Sequence, residues 1–117
     1  MYVGSDFDPV EPDEIDDFAI EVTEDLGAAT VASVACVVSI ARTLAGAIID
    51  PTPAARLIGA ASVVTAVNEL TGDVQTFLMQ RLGTMAAGNL YIVAMQAVLS
   101  DGRTIDRYSH LWCREAA

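Results

Sequence analysis

The chain has no lysine, one histidine and two cysteines in 117 residues, so the groups that most often carry polar chemistry are scarce. An active site needs several such groups in one place. His110 is the only side chain whose unperturbed titration lies near neutral pH, and a structural contact is the simpler reading of it. Cys36 with His110 would make a thiol–imidazole pair, but nothing supplies an orienting third group or an oxyanion site. A tetrahedral zinc site needs four ligands, more than the Cys and His inventory offers. The glycines between Gly83 and Gly88 lack the residues that follow in a phosphate-binding loop. The uncharged run from Leu26 to Ala41 is shorter than the roughly 20 apolar residues of a membrane span, and Arg42 ends it. The first residues also lack the basic start and apolar stretch of a secretory signal, so a reducing cytoplasm and free thiols are expected. No catalytic residue, metal or cofactor is assigned.

Positive charge is sparse as well: six arginines face 16 acidic residues, for a net charge of -10. Ten of those acids lie between Asp6 and Asp25, whereas the remaining six balance the arginines. An acidic end repels phosphate, which removes the counterion-release drive for nucleic-acid binding and disfavours anionic membranes. A partner carrying basic patches fits better. The apolar fraction of 53% is rich in Ala and Val. In a chain of this length it supports one domain that buries roughly two-thirds of its unfolded surface.

Residues 1–17 combine Pro9, Pro12 and Gly4 with the carboxylates of Asp6, Asp8, Glu11, Asp13, Glu14, Asp16 and Asp17. Few apolar side chains are present to offset the entropy of ordering, so the segment reads as an acidic extended arm. The same carboxylates could bind a hard cation, but the glycine and closing Glu of a calcium-binding loop are missing and a solvated arm is preferred.

From Phe18 the pattern alternates, with Phe18, Ile20 and Val22 on one face, as in a half-buried strand. Thr30 to Ile40 is β-branched and reads as a strand buried on both faces; an Ala-rich helix continuing to Ile49 is the alternative. Asp50-Pro51-Thr52-Pro53 ends either one. Ser62–Val67 and Val74–Gln80 are consecutive strands around Thr71-Gly72-Asp73. Asn89–Leu99 and Arg103–Arg114 form a hairpin about Ser100-Asp101-Gly102, with Gly102 in the left-handed conformation. If Leu99 faces Arg103, then Tyr91, Val93, Met95 and Ala97 share the core face with Leu111, Ser109, Arg107 and Ile105. Trp112, His110 and Tyr108 then lie on the outer face. A two-residue Asp101-Gly102 turn would shift the register by one and invert the faces.

About seven short strands with regular turn signals predict an all-β, immunoglobulin-like antiparallel sandwich over residues 18–117. Tyr91 follows the corner at Gly88 and fits either a tyrosine corner, its hydroxyl bonding back to the preceding loop, or a plain core aromatic. Tyr108 and Trp112 beside Gln96 form a candidate surface for contact with a neighbouring protein, with simple partial burial the second reading and a sugar site a distant third.

The order Phe18-Ala19-Ile20, Leu26-Gly27, Thr30-Val31-Ala32-Ser33, Leu82-Gly83-Thr84, Ala87-Gly88, Tyr91 and Asp101-Gly102-Arg103 resembles small β-sandwich proteins of phage head-closure and tail genes, the fiber-tail adaptor family among them. The likeness runs from about Phe18 to Arg114. It departs from the family pattern at Cys36, where a Trp is often found, at Leu82-Gly83 in place of a doubled Gly, and in a longer Leu44–Leu57 segment. The acidic arm has no counterpart. The resemblance implies a non-enzymatic virion structural protein, made in the bacterial host cytoplasm, that links tail or neck components and fibers. Its partners would be other virion proteins and copies of itself. Capsid decoration and glycan binding are the alternatives.

Overall fold

A computed structural model describes residues 1–115. The chain is all-β, with two antiparallel three-stranded sheets. The strands are β1 (Ile15–Glu21), β2 (Val31–Thr43), β3 (Leu57–Val67), β4 (Val74–Gly83), β5 (Asn89–Leu99) and β6 (Thr104–Trp112). One sheet has the order β1-β4-β3 and the other β2-β5-β6. A one-turn helix at Thr23–Leu26 and a 3-10 turn at Pro53–Arg56 are the helical pieces among the described residues. Six strands are present there, one fewer than the count of about seven expected from the sequence.

The two sheets meet through Phe18, Ile20, Leu78 and Leu82 on one side and Val38, Tyr91, Val93, Met95, Ala97, Ile105 and Leu111 on the other. The last hairpin has the expected register: Tyr91 faces Leu111, Val93 faces Ser109, Met95 faces Arg107 and Ala97 faces Ile105. Three-residue closure sets this alignment. Gly102, at φ 89, donates its amide to Leu99 O at 3.0 Å, and Leu99 N–H bonds to Arg103 O at 2.8 Å. Asp101 completes the turn by accepting from Arg103 N at 3.1 Å.

Two expected elements differ. β2 is a strand, since its β-branched residues favour the extended chain over the alternative helix, but it is not buried on both faces. Val38 is its one fully buried side chain, while Ala35, Val37 and Ser39 face solvent. β2 is an edge strand of a sheet whose outer face carries no further layer, so only one face meets a core. β3 starts at Leu57, five residues before the apolar-alternating run, because the register shift between Ile58 and Ser62 places a bulge there. Gly59, at φ 73, supplies the backbone freedom such a bulge uses.

The corner before β5 is the most polar part of the interior. Tyr91 is fully buried and its hydroxyl donates to Asp50 Oδ2 at 2.7 Å while accepting from Ala86 N at 2.9 Å. The hydroxyl thus bonds back to the loop five residues earlier. Burial first, then the Asp50 carboxylate, pushes the phenol well above its usual titration range, so it stays a donor at neutral pH. Asp50 also accepts from Thr52 N at 2.9 Å and is paired with Arg56 Nε at 3.3 Å. Arg56 in turn donates to the carbonyl of Thr84. Buried Asn89 donates to Ile48 O at 3.0 Å and to Ala86 O at 3.1 Å, and accepts from Thr43 Oγ1 at 2.7 Å. Gly88 lies beside this hub at φ 83, where a Cβ would collide with Ala47. Its amide bonds to Cys113 O at 2.8 Å and its carbonyl accepts from Leu44 N at 2.8 Å.

Replacing Tyr91 by Phe keeps the ring but removes one donor from the buried Asp50 carboxylate, which retains Thr52 and Arg56, and leaves the Ala86 amide without its acceptor. Urea denaturation is expected to show a loss of about 1–3 kcal/mol with an unchanged slope.

Candidate functional site

The acidic arm does not project from the body. Residues 1–10 run parallel to β6 along its outer edge, with bridges at Tyr2–Tyr108 and Val10–Cys113. Tyr108 N–H bonds to Met1 O at 2.9 Å, and the amides of Val3, Phe7 and Val10 bond to the carbonyls of Tyr108, His110 and Trp112 at 3.0 Å each. Arg114 N–H closes the run on Val10 O at 2.8 Å. The arm spends three or four of its residues for every two of β6, so it is no regular strand. Gly4, at φ 93, takes up the slack, and Ser109 Oγ donates to Ser5 O at 2.6 Å.

Apolar anchors hold this path. Val10 is buried, and the Phe7 ring packs edge-on against Phe18, centroids 5.1 Å apart, in the seam between the sheets. Tyr2 lies against Tyr108 and His110 at centroid distances of 5.6 and 5.3 Å. Its hydroxyl donates to Asp6 Oδ1 at 2.5 Å, and His110 Nδ1 lies 3.3 Å from the same oxygen. The Tyr2 hydrogen bond, followed by His110, lowers the Asp6 titration below its ordinary 3.8.

The candidate carboxylates therefore divide. Asp6 is tied to Tyr2 and His110. Asp17, which falls within β1, makes a bidentate cross-strand pair with Arg81 at 2.9 and 3.2 Å, which lowers its titration. Asp16 accepts from the Asp17 amide at 2.8 Å, and Glu14 accepts from Glu11 N at 3.1 Å. Asp8, Glu11, Asp13, Glu14 and Asp16 all lie at the surface. They form an exposed strip beside β6 and β1. Among the described residues, no three His, Cys, Asp or Glu side chains converge as metal ligands.

Tyr108 and Trp112 share the outer face of β6, separated by His110, and both are half-buried. Tyr2 covers Tyr108, and Arg114 lies over the Trp112 ring at 5.7 Å. The arm and its flank thus occupy much of the platform expected there. Cys36 opposes Met95 on the core face, whereas His110 opposes Ile92 on the outer face, so the sheet separates that pair. Burial pushes each thiol up to about 11.

A depression of about 560 Å³, largely apolar, lies at the Gly88 end, lined by Leu44, Ala47, Ile48, Ala87, Gly88 and Arg114 among others. Sequence reasoning missed Asp50, Arg56 and Asn89, because single polar residues in a loop carry no periodic signal. It also missed the docking of the arm, whose signal was present in Phe7 and Val10 as isolated apolar residues in an acidic segment. Comparison with protein-family models, curated proteins and solved structures gives no match, so the residues alone carry the functional reading.

Asp6 is held ionised by the folded arm, so its contribution is present above the unfolded carboxylate range and is lost as pH falls through the lowered value. The protection factors of the Val3 and Phe7 amides, taken relative to the intrinsic exchange rate at each pH, are expected to fall in acid before the body unfolds, and Asp6→Asn should remove that pH dependence. Unchanged acid behaviour in Asp6→Asn would assign it to another group.

Proposed function

We propose that the protein is a non-enzymatic structural component of a bacteriophage particle, an adaptor joining tail or neck components and fibers through protein–protein contacts. The observation that carries this reading is the run of exposed carboxylates from Asp8, near the end of the docked arm, through Glu11, Asp13 and Glu14 in the following turn to Asp16 at the start of β1. A strip of fixed negative charge with no convergent ligand geometry suits a basic groove on a neighbour, where complementarity sets orientation and encounter rate. The partners are other virion proteins and copies of this chain, with assembly in the host cytoplasm and residence in the virion.

The fold is assigned as immunoglobulin-like. In that sandwich, strands B, E and D form part of one sheet and C, F and G the other. The orders β1-β4-β3 and β2-β5-β6 follow those of B-E-D and C-F-G, whereas the arm lies on β6 and not beside β1, where a first strand A would run. Tyr91, near the start of β5 and bonded back to Ala86, matches the tyrosine corner of strand F. The resemblance to fiber-tail adaptor proteins rests on the same body.

Quantitative peptide mass spectrometry on purified particles from the source culture tests the proposal. An adaptor is expected at a few to a dozen copies per particle. Hundreds would make it a capsid decoration protein, and absence from particles would sink the virion reading and bring glycan binding at Trp112 forward. Deleting residues 1–17 would remove Val10 and part of β1, so the arm is better tested by charge. The triple change Asp8→Asn, Asp13→Asn, Asp16→Asn should leave the thermal melt in place and reduce incorporation. Normal incorporation would contradict the role of the strip.

A further inference from the structure

Two three-stranded sheets have four edges, and a strand edge presents unpaired backbone groups that readily add another strand. Three of these edges are managed. β6 is covered by the arm. β1 is seven residues long and carries Asp16, Asp17 and Glu21. β3 is broken by the shift between Ile58 and Ser62. The edge of β2 has none of these devices, although the 3-10 turn Pro53–Arg56 and β3 approach it without a backbone hydrogen bond. β2 is the longest strand, 13 residues, and is uncharged from Val31 to Ala41. Its register shifts fall only near its ends, at Val31/Ser33 and Ile40/Arg42. No backbone hydrogen bond among the described residues joins it to any strand but β5.

The core is also unfinished on that side. β4, β5 and β6 bury alternate side chains, whereas β3 buries none fully and β2 buries only Val38. Val34, Cys36 and Ile40 point toward the core yet remain half-exposed, and Val37 on the outer face is 64% exposed.

We infer that a second copy of this chain pairs with the free edge, β2 against β2 in antiparallel fashion about a twofold axis. Charge selects this occupant. Copies carrying -10 each repel wherever their acidic sides meet, and the arm and β1 place that charge at the edges opposite β2 and β3. In the paired sheet, arm-β6-β5-β2 runs on into its mirror order, so the two arms stand about 34 Å apart at ~4.8 Å per strand. That is several times the Debye length of about 8 Å at physiological salt, so the repulsion is screened while the contact itself is uncharged. Val37 is the middle residue of β2, so a symmetric pairing brings the two Val37 side chains near the axis. The inference deepens the assembly reading and rests on it for its setting. Purified protein tests it, so its failure is separate from absence in particles.

Sedimentation velocity over a concentration series should give a species of twice 12.3 kDa for the wild type. Val37→Lys, which sets two ammonium groups together, should raise the dissociation constant about tenfold or more. Ser39→Lys, also on the exposed outer face, should act in the same direction, and both should keep the wild-type circular dichroism spectrum, and its melt at concentrations where the wild type is monomeric. A chain that stays monomeric throughout overturns the inference. So does a dimer that survives both lysine variants, or one dissociated by Val63→Lys on β3 while Val37→Lys leaves it intact.

Discussion

The structure depends on how two small sheets dispose of their edges. A β-strand with one free side has backbone donors and acceptors that need a partner or water, and three-stranded sheets are mostly edge. Here the chain uses its own first ten residues on β6, where five backbone hydrogen bonds between Tyr108 and Arg114 are satisfied by an acidic segment. The arm is therefore part of the fold, and its charge is presented from a fixed position. Ionic contacts made from a fixed strip lose less conformational entropy than those of a free tail, which would have to order on binding.

The buried corner sets a second constraint. Tyr91, Asp50, Arg56 and Asn89 tie the Leu44–Arg56 loop to the turn before β5, and every link is a hydrogen bond or ion pair in a largely water-free place. Such networks are rigid when satisfied and costly when broken. The crossing from one sheet to the other is thereby fixed, which in turn holds β2 beside β5 and leaves its far edge free. The molecule is thus sealed by the arm on one side and open along the uncharged stretch of β2 on the other.

Much of this was legible in the residues. Alternation at Phe18, Ile20 and Val22 and the Ser100-Asp101-Gly102 turn carried strong local signals, and the register of the last hairpin follows from loop length alone. Tyr91 after Gly88 fitted a corner and a plain core aromatic equally well, and the bond from the Ala86 amide to its hydroxyl distinguishes them. The early start of β3 at Leu57 was hidden by Gly59, Ala60 and Ala61, whose strand propensity is low and which lie in the register shift between Ile58 and Ser62 without partners on β4. The half-exposure of β2 was hidden for another reason. A run such as Val34, Cys36, Val38 and Ile40 looks the same whether its second face meets a core, a partner or water. The arm defeated periodicity because its residues pair irregularly with β6, and one of the two partners of Asp6, His110, lies more than a hundred residues away.

The central claim is that one flank is sealed by the arm and the other is open. The most direct measurement is backbone hydrogen exchange, resolved to single amides, on wild-type protein at concentrations where it is monomeric. The account predicts slow exchange at Val3, Phe7, Val10, Tyr108 and Arg114, and rapid exchange at alternate amides along β2. Arm amides exchanging as fast as an unstructured peptide, or uniform protection along β2 in the monomer, would contradict it.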